Sequence, residues 1–447
     1  MADAPNRWTR GHRRLDDRRP PETAIRESAP LMAGVTADHA GANFSKRPPR
    51  RPRVIGDALD DHHDAIREAA REFALEEITP RAAEIDRANE IPRDLLDALG
   101  DRGYLGRYVP EPYGGGGATN AELCGQQEGL AYGSCVAVAA STHATNLCAD
   151  PIVRYGTDEQ RQRFLPDLAS GEAIGAIAIT EPEHGSDVTS LETTAERDGD
   201  EWVIDGRKWL IENTRYGDLF VVVAQTGDPG PGGISTFLVE ADQDGFEVES
   251  LHDPLGSRGC GLGSFSLDGV RVPDENLIGK DGQGFEMLST LLDRARCHGI
   301  TEVLGAAQAA HDMAVAYANE REQFGKPIGD RQAIKFKLAD NAATLAAARH
   351  LVYDAALALD DGRDASQASA IANFFTADRG MTVAHEALQV FGGLGIIKRT
   401  HVERVFRDVR IYSIGQGTSE LNRSMAGAAE LDRDVPWTPP QPRDVWD

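Results

Sequence analysis

Ile411-Tyr412-Ser413-Ile414-Gly415-Gln416-Gly417-Thr418-Ser419-Glu420 lies near the C-terminus, between Arg407-Asp408 and Leu421-Asn422-Arg423. It falls within the last of four long segments that carry helical periodicity, residues 286–320, 334–359, 367–391 and 402–430. In the second of these, Ile334, Leu338, Leu345, Ala348, Val352, Ala355 and Leu359 recur at intervals of three, four or seven. That spacing keeps one apolar stripe on one side of a helix. Four long helices with short links predict an antiparallel bundle over residues 285–430.

N-terminal to the bundle the period changes to two. Trp202-Val-Ile204 and Trp209-Leu-Ile211 flank Asp205-Gly206, and Phe220-Val-Val-Val223, Thr236-Phe-Leu-Val239 and Phe246-Glu-Val248 follow. A second Asp-Gly, at 268–269, interrupts residues 265–272. Asp-Gly between alternating runs signals a hairpin turn, so residues 175–284 are expected to form an antiparallel β domain. Residues 54–174 are helical again. Ile66, Ala69, Ala70 and Phe73 share a face, Pro80 stops that segment, and Tyr113-Gly-Gly-Gly-Gly117 is a loop. Thr157-Asp-Glu-Gln160 has the form of a capping box. The fold class is therefore mainly α with a central β domain: an N-terminal helical domain, the β domain, then a four-helix bundle. Residues 1–53, with seven prolines and a charge of +6, are expected to be a disordered leader, with Met32 as another possible start. Residues 431–447 are expected to be a tail.

The whole chain carries −25, which leaves −31 on the remainder beyond the leader. Such a surface excludes non-specific nucleic-acid binding. No apolar run reaches the roughly 18 residues of a membrane helix. Five scattered cysteines lack any C-x-x-C pair or zinc spacing, so each is expected to be a small buried hydrophobe in a reducing cytoplasm. No metal site is expected. His143, His311, His350 and His385 stand alone and read as surface or satisfied histidines. No nucleophile elbow, zinc-protease motif or phosphate loop occurs.

The opening stretch resembles the C-terminal signature of the acyl-CoA dehydrogenases, and further anchors follow in order over residues 57–430. Thr180-Glu-Pro-Glu-His-Gly-Ser-Asp187, Leu255-Gly-Ser-Arg258, Val270-Arg-Val-Pro273, Asp293-Arg-Ala-Arg296, Arg321-Glu-Gln-Phe-Gly325 and Gln389-Val-Phe-Gly-Gly393 are similar to the family's motifs. The resemblance implies an FAD-dependent oxidoreductase that desaturates an acyl-CoA or acyl-carrier thioester in fatty acid metabolism. It also implies transfer of electrons to an electron-transfer flavoprotein and assembly as a homotetramer or homodimer. Thr180 and Ser186 would contact the isoalloxazine and pyrophosphate, and Thr418 the cofactor beside the substrate cavity. Arg321 and Phe324 would reach the dinucleotide of a neighbouring subunit, with Gln389, Gly392 and Gly393 at its adenosine half. Asp293 and Arg296 would line the pantetheine channel.

The pattern breaks at the base. The family's glutamate is Gln416 here, and an amide has no useful basicity near neutral pH. A second place where some branches carry the glutamate aligns with Ala295. Gln416 still offers its backbone N–H to a thioester carbonyl. Trp209-Leu-Ile-Glu-Asn213 places Glu212 where the family has a threonine at the flavin edge, which implies either that Glu212 tunes the flavin or that the loop is reshaped. Three readings follow: a dehydrogenase with a relocated base or an acidic substrate, a flavoenzyme of the same fold with desulfinase- or monooxygenase-like chemistry, and a catalytically silent binding partner.

Overall fold

The structure is a computed structural model that describes residues 61–433 except 399. The expected leader, and the tail beyond residue 433, lie outside the described residues. Six helices come first: α1 (Asp61–Phe73), α2 (Ala82–Ala88), α3 (Arg93–Asp101), α4 (Asn120–Ala131), α5 (Val136–Tyr155) and α6 (Asp158–Ser170). α1 runs into a π turn over Ala74–Ile78, and the helical segment ends just before Pro80, as expected. Of its expected apolar face, Ala70 and Phe73 are buried and Ala69 is exposed. The box at Thr157 forms as expected. Its hydroxyl accepts from Gln160 N–H, and the Gln160 side chain accepts from Thr157 N–H.

Seven strands follow: β1 (Gly175–Ala178), β2 (Thr194–Asp198), β3 (Glu201–Ile211), β4 (Leu219–Gln225), β5 (Ile234–Glu240), β6 (Phe246–Leu251) and β7 (Gly263–Pro273). The pairs β2–β3, β3–β7, β6–β7 and β4–β5 are antiparallel. Two contacts are parallel, β1 with β4 and a single pair between β2 and β4. Trp202, Phe220, Phe237 and Phe265 fill the sheet's core.

Neither Asp-Gly makes a hairpin. Both lie inside long continuous strands, opposite one another, where the β3–β7 register shifts between Ile204 and Gly206. Asp205 accepts the Gly269 N–H through Oδ1 at 2.8 Å. Gly206 has φ 155° and faces Thr193 so closely that a Cβ there would overlap it. A bulge and a tight turn both call on residues tolerant of unusual φ, so the dipeptide alone cannot separate them.

The C-terminal part begins with α7 (Gly284–Glu320), about 55 Å long at 1.5 Å per residue. A short hairpin of β8 (Glu322–Gln323) and β9 (Lys326–Pro327) leads to α8 (Gln332–Asp360) and α9 (Ser366–Phe391). The stripe on α8 packs as expected, with Leu345, Ala348, Val352 and Ala355 buried against α7 and α9. The fourth segment is not one helix. It breaks into α10 (His401–Asp408), a 3-10 stretch (Val409–Ser413), a loop and α11 (Ser419–Glu430). Gln416 at φ 60° and Gly417 at φ 87° are both left-handed, which no continuing α-helix accommodates.

The break is held on both sides. Asp408 accepts from Ser257 N–H at 2.8 Å and Val136 N–H at 3.2 Å, which ties the β domain and the start of α5 to it. Arg407 forms two bonds to Asp86, at 2.7 and 3.0 Å, and pairs with Glu403 on its own helix. A Cβ at Gly256 would overlap the Arg407 carbonyl, so the Leu255-Gly-Ser-Arg258 motif is the glycine-dependent seat of this junction. All five cysteines are free and buried, as the sequence predicts. Among the described residues no helix is long and apolar enough to cross a membrane, and no cluster suits a metal ion.

Candidate active site

The loop after the break forms one wall of a cavity of about 1780 Å³ between the β domain, α5 and α7. Thr180, Ser186 and Glu212 line it from the β domain. Asp293, Ala295 and Arg296 line it from α7, and Gln416 and Thr418 from the broken segment. Arg321, Phe324, Gln389, Gly392 and Gly393 are not in this lining. They lie on the outside of the chain, with Phe324 94% exposed at the tip of the β8–β9 hairpin and open space around both glycines.

Each wall is fixed by local structure. The Thr180 loop is pinned by Glu181, which accepts from Lys208 Nζ at 2.7 Å, Thr193 N–H at 3.0 Å and Glu192 N–H at 2.6 Å. Glu212 sits between two non-glycine left-handed residues, Leu210 (φ 56°) and Asn213 (φ 60°). Residues persist in that region only where their surroundings hold them. Asn213 is so held: its amide bonds the Ser141 and Gly175 carbonyls, and its oxygen accepts from the Ser141 hydroxyl at 2.7 Å. At the polar end of the lining, Asp293 accepts from Arg296 at 2.7 Å and from the Ser366 and Ser369 hydroxyls at 2.8 and 3.2 Å.

Gln416 turns its side chain onto α7, where Gly299 leaves room for it; a Cβ at 299 would overlap the amide. Gln416 Nε2 lies 3.4 Å from His143 Nδ1 on α5, and the amide oxygen is buried without a partner. Among the described residues the Gln416 backbone N–H also meets no backbone acceptor. Thr418 caps α11 by accepting from Leu421 N–H.

Glu302 and Tyr412, to which the sequence assigned no role, and His143, read there as a surface or satisfied histidine, complete this end of the cavity. The Tyr412 hydroxyl donates to Glu302 Oε2. Among the described residues Glu302 Oε1 is buried without a hydrogen-bond partner, 3.5 Å from His143 Nδ1, and His143 Nε2 is likewise unpartnered. His143 is therefore no surface or satisfied histidine. Burial lowers it to about 4, so the ring is neutral at pH 7. Burial pushes the Glu302 carboxyl well above the usual range, with the Tyr412 bond opposing and the Glu212 charge adding. The one available signal was Glu302 itself, a carboxylate inside the apolar run Ile300-Thr-Glu-Val-Leu304, seven residues on from Ala295.

Burial raises Glu212 from 4.5 to about 7. Between those values the folded protein keeps a proton that the unfolded chain has released, so stability falls as pH rises through this window. Glu212→Gln is expected to flatten that fall. Urea midpoints at pH 5 and pH 8 measure it, and an unchanged difference between them would contradict the assignment.

The fold and this cavity define the class. Models of the acyl-CoA dehydrogenase N-terminal, middle and C-terminal domains match residues 60–172, 176–270 and 282–431, and the chain belongs to the acyl-CoA dehydrogenase family. It is accordingly an FAD-dependent oxidoreductase acting on CH–CH groups. A 3-(aryl)acrylate reductase of Clostridium sporogenes is 37% identical over 364 residues, covering 81% of this chain and 97% of the relative. An acyl-CoA dehydrogenase of Bacillus subtilis is 38% identical over 360 residues, covering 80% and 95%. Butyryl-CoA dehydrogenase from Megasphaera elsdenii superposes with a TM-score of 0.81 at 34% identity, over 84% of this chain and all of the other.

The residues present fit FAD. The cavity exceeds the roughly 300–1,000 Å³ of a single small-ligand site, which leaves room for a flavin ring and an acyl chain side by side. Hydroxyls of Thr180, Ser186 and Thr418 supply hydrogen-bonding groups on its walls. The Glu212 carboxyl, raised to about 7 by burial, is partly protonated near neutral pH, a form that would not repel a reduced flavin.

Proposed function

We propose that this protein catalyses α,β-oxidoreduction of an acyl thioester, with CoA or an acyl carrier protein as the thiol. Bound FAD supplies the acceptor for the β-hydride, and an electron-transfer flavoprotein takes the electrons onward. The observation that carries this reading is the Gln416 backbone N–H, which meets no backbone acceptor among the described residues and sits on a left-handed turn at the cavity wall. A donor so placed polarises the thioester carbonyl and stabilises the enolate that forms when the α-proton leaves. The names of the three relatives, two dehydrogenases and a reductase of an unsaturated acid, agree with chemistry at adjacent carbons.

The other residues take supporting roles. Asp293 and Arg296 hold the pantetheine arm at the polar end of the cavity. Thr180, Ser186 and Thr418 orient the flavin, and Glu212 carries a proton at its edge as negative charge develops there. Arg321, Phe324, Gln389, Gly392 and Gly393 face outward because they serve the cofactor of a second copy, in a homodimer or homotetramer. Arg321 suits a pyrophosphate as a charge-assisted fork.

Purified protein is expected to be yellow and to bleach when acyl-CoA esters of different lengths are added without oxygen. A flavin that binds but bleaches with none of them would point to other chemistry on this fold. A colourless protein that refuses added FAD would overturn the reading.

A further inference from the structure

Desaturation of a thioester breaks the α C–H bond heterolytically, and the proton needs an acceptor that neither Gln416 nor Ala295 supplies. Resting on the function above, we propose that Glu302 is the residue that exchanges the substrate's α-proton. Its place on α7 is the first argument. Ala295, Gly299 and Glu302 follow at i, i+4 and i+7, a spacing that puts them on one face of the helix. Ala295 and Glu302 both line the cavity, and Gly299 receives the Gln416 amide. The carboxylate missing from 416 thus reappears one helical turn beyond the site where that amide packs.

The carboxyl is also presented as such a group must be. Tyr412 holds Oε2, while Oε1 is buried, unpartnered and on the cavity wall. The other carboxyls of the lining are otherwise engaged or wrongly placed. Asp293 is bound by Arg296, Ser366 and Ser369. Asp364 and Asp432 are exposed. Glu212 belongs to the β3 loop, on the wall that takes the flavin edge.

The groups that bear on Glu302 are His143 from α5, Tyr412 from the 3-10 stretch, Glu212 from the end of β3, and Cys260 from the loop before β7. None is a cation: His143 is neutral, and burial keeps the Tyr412 phenol and Cys260 thiol protonated. Burial therefore raises the resting carboxyl well above the usual carboxylate range, which favours its neutral form. In desaturation ionised Glu302 takes the α-proton, the C–H electron pair becomes the new π bond, and the β-hydrogen leaves with its pair to the cofactor. In the reverse direction the neutral carboxyl returns that proton to the α-carbon as hydride adds at the β-carbon.

The test uses flavin-loaded protein in deuterium oxide without oxygen, with butyryl-CoA as the probe. Mass spectrometry reads α-deuterium incorporation, and absorbance reads bleaching. Glu302→Gln is expected to keep its flavin and lose exchange by about a hundredfold or more. Adding Gln416→Glu to that variant should restore it. Wild-type exchange should rise with pH, and Tyr412→Phe, which removes the bond stabilising the carboxylate, should move that rise to higher pH. Infrared spectra of the resting protein should show a protonated carboxyl band that Glu302→Gln removes. A purely structural role would leave the pH profile of exchange unmoved. Wild-type exchange in Glu302→Gln, with bleaching intact, overturns the inference alone. A wild-type protein that binds flavin but neither exchanges nor bleaches overturns the proposed function and this inference with it.

Discussion

Gln416→Glu is expected to raise α,β-desaturation at pH 7 on the order of 10²–10⁴-fold, the usual contribution of one positioned base. The new carboxylate would occupy the space over Gly299 and lie against His143 Nδ1, so little has to move to receive it. Burial raises the Glu302 carboxyl well above the usual carboxylate range and so opposes its ionisation. The gain should therefore shrink as pH rises and Glu302 ionises. Stopped-flow bleaching with an acyl-CoA, from pH 6 to pH 9, measures both the gain and its decline. No gain at any pH would mean that the α-carbon does not lie beside residue 416.

Asp408→Ala should lower stability by about 3–5 kcal/mol, the range for stripping one partner from a buried charged network. Two buried N–H groups, of Ser257 and Val136, would lose their acceptor, and the fully buried Arg404 would lose its neighbouring negative charge. Each orphaned donor alone costs about 1–3 kcal/mol. Asp408→Asn keeps one acceptor oxygen and should recover part of the loss. Urea titration with both tryptophan fluorescence and helical dichroism is the measurement, and an unchanged midpoint for the alanine variant would refute the role.

The parts of the cavity lining that stand out by residue type at fixed spacing were legible in the sequence. Gln416 with its flanking glycines, Asp293-Arg-Ala-Arg296 and the Thr180–Ser186 loop could be found without coordinates, and the structure sets them around one cavity. Glu302 and His143 could not be found this way. Each is a polar residue within a long helix, and whether it meets solvent, a partner or a cavity depends on what packs over that helix. The bundle's fourth segment kept its helical period across a break set by two backbone angles, which hydrophobic spacing does not register. The two Asp-Gly pairs were read as turns because their partner strands are distant in sequence, and only pairing reveals them as facing sides of one bulge.

The five concealed thiols give the molecule a built-in probe of its own breathing. Cys124, Cys135 and Cys148 report on the first helices, Cys260 on the loop beside the Glu212 wall, and Cys297 on α7 between Asp293 and Gly299. A maleimide reagent reaches each only when its surroundings open, so residue-resolved labelling orders these regions by opening free energy. If the junction at Arg407-Asp408 clamps the layers together, Cys135 and Cys260 should become reactive at one common rate.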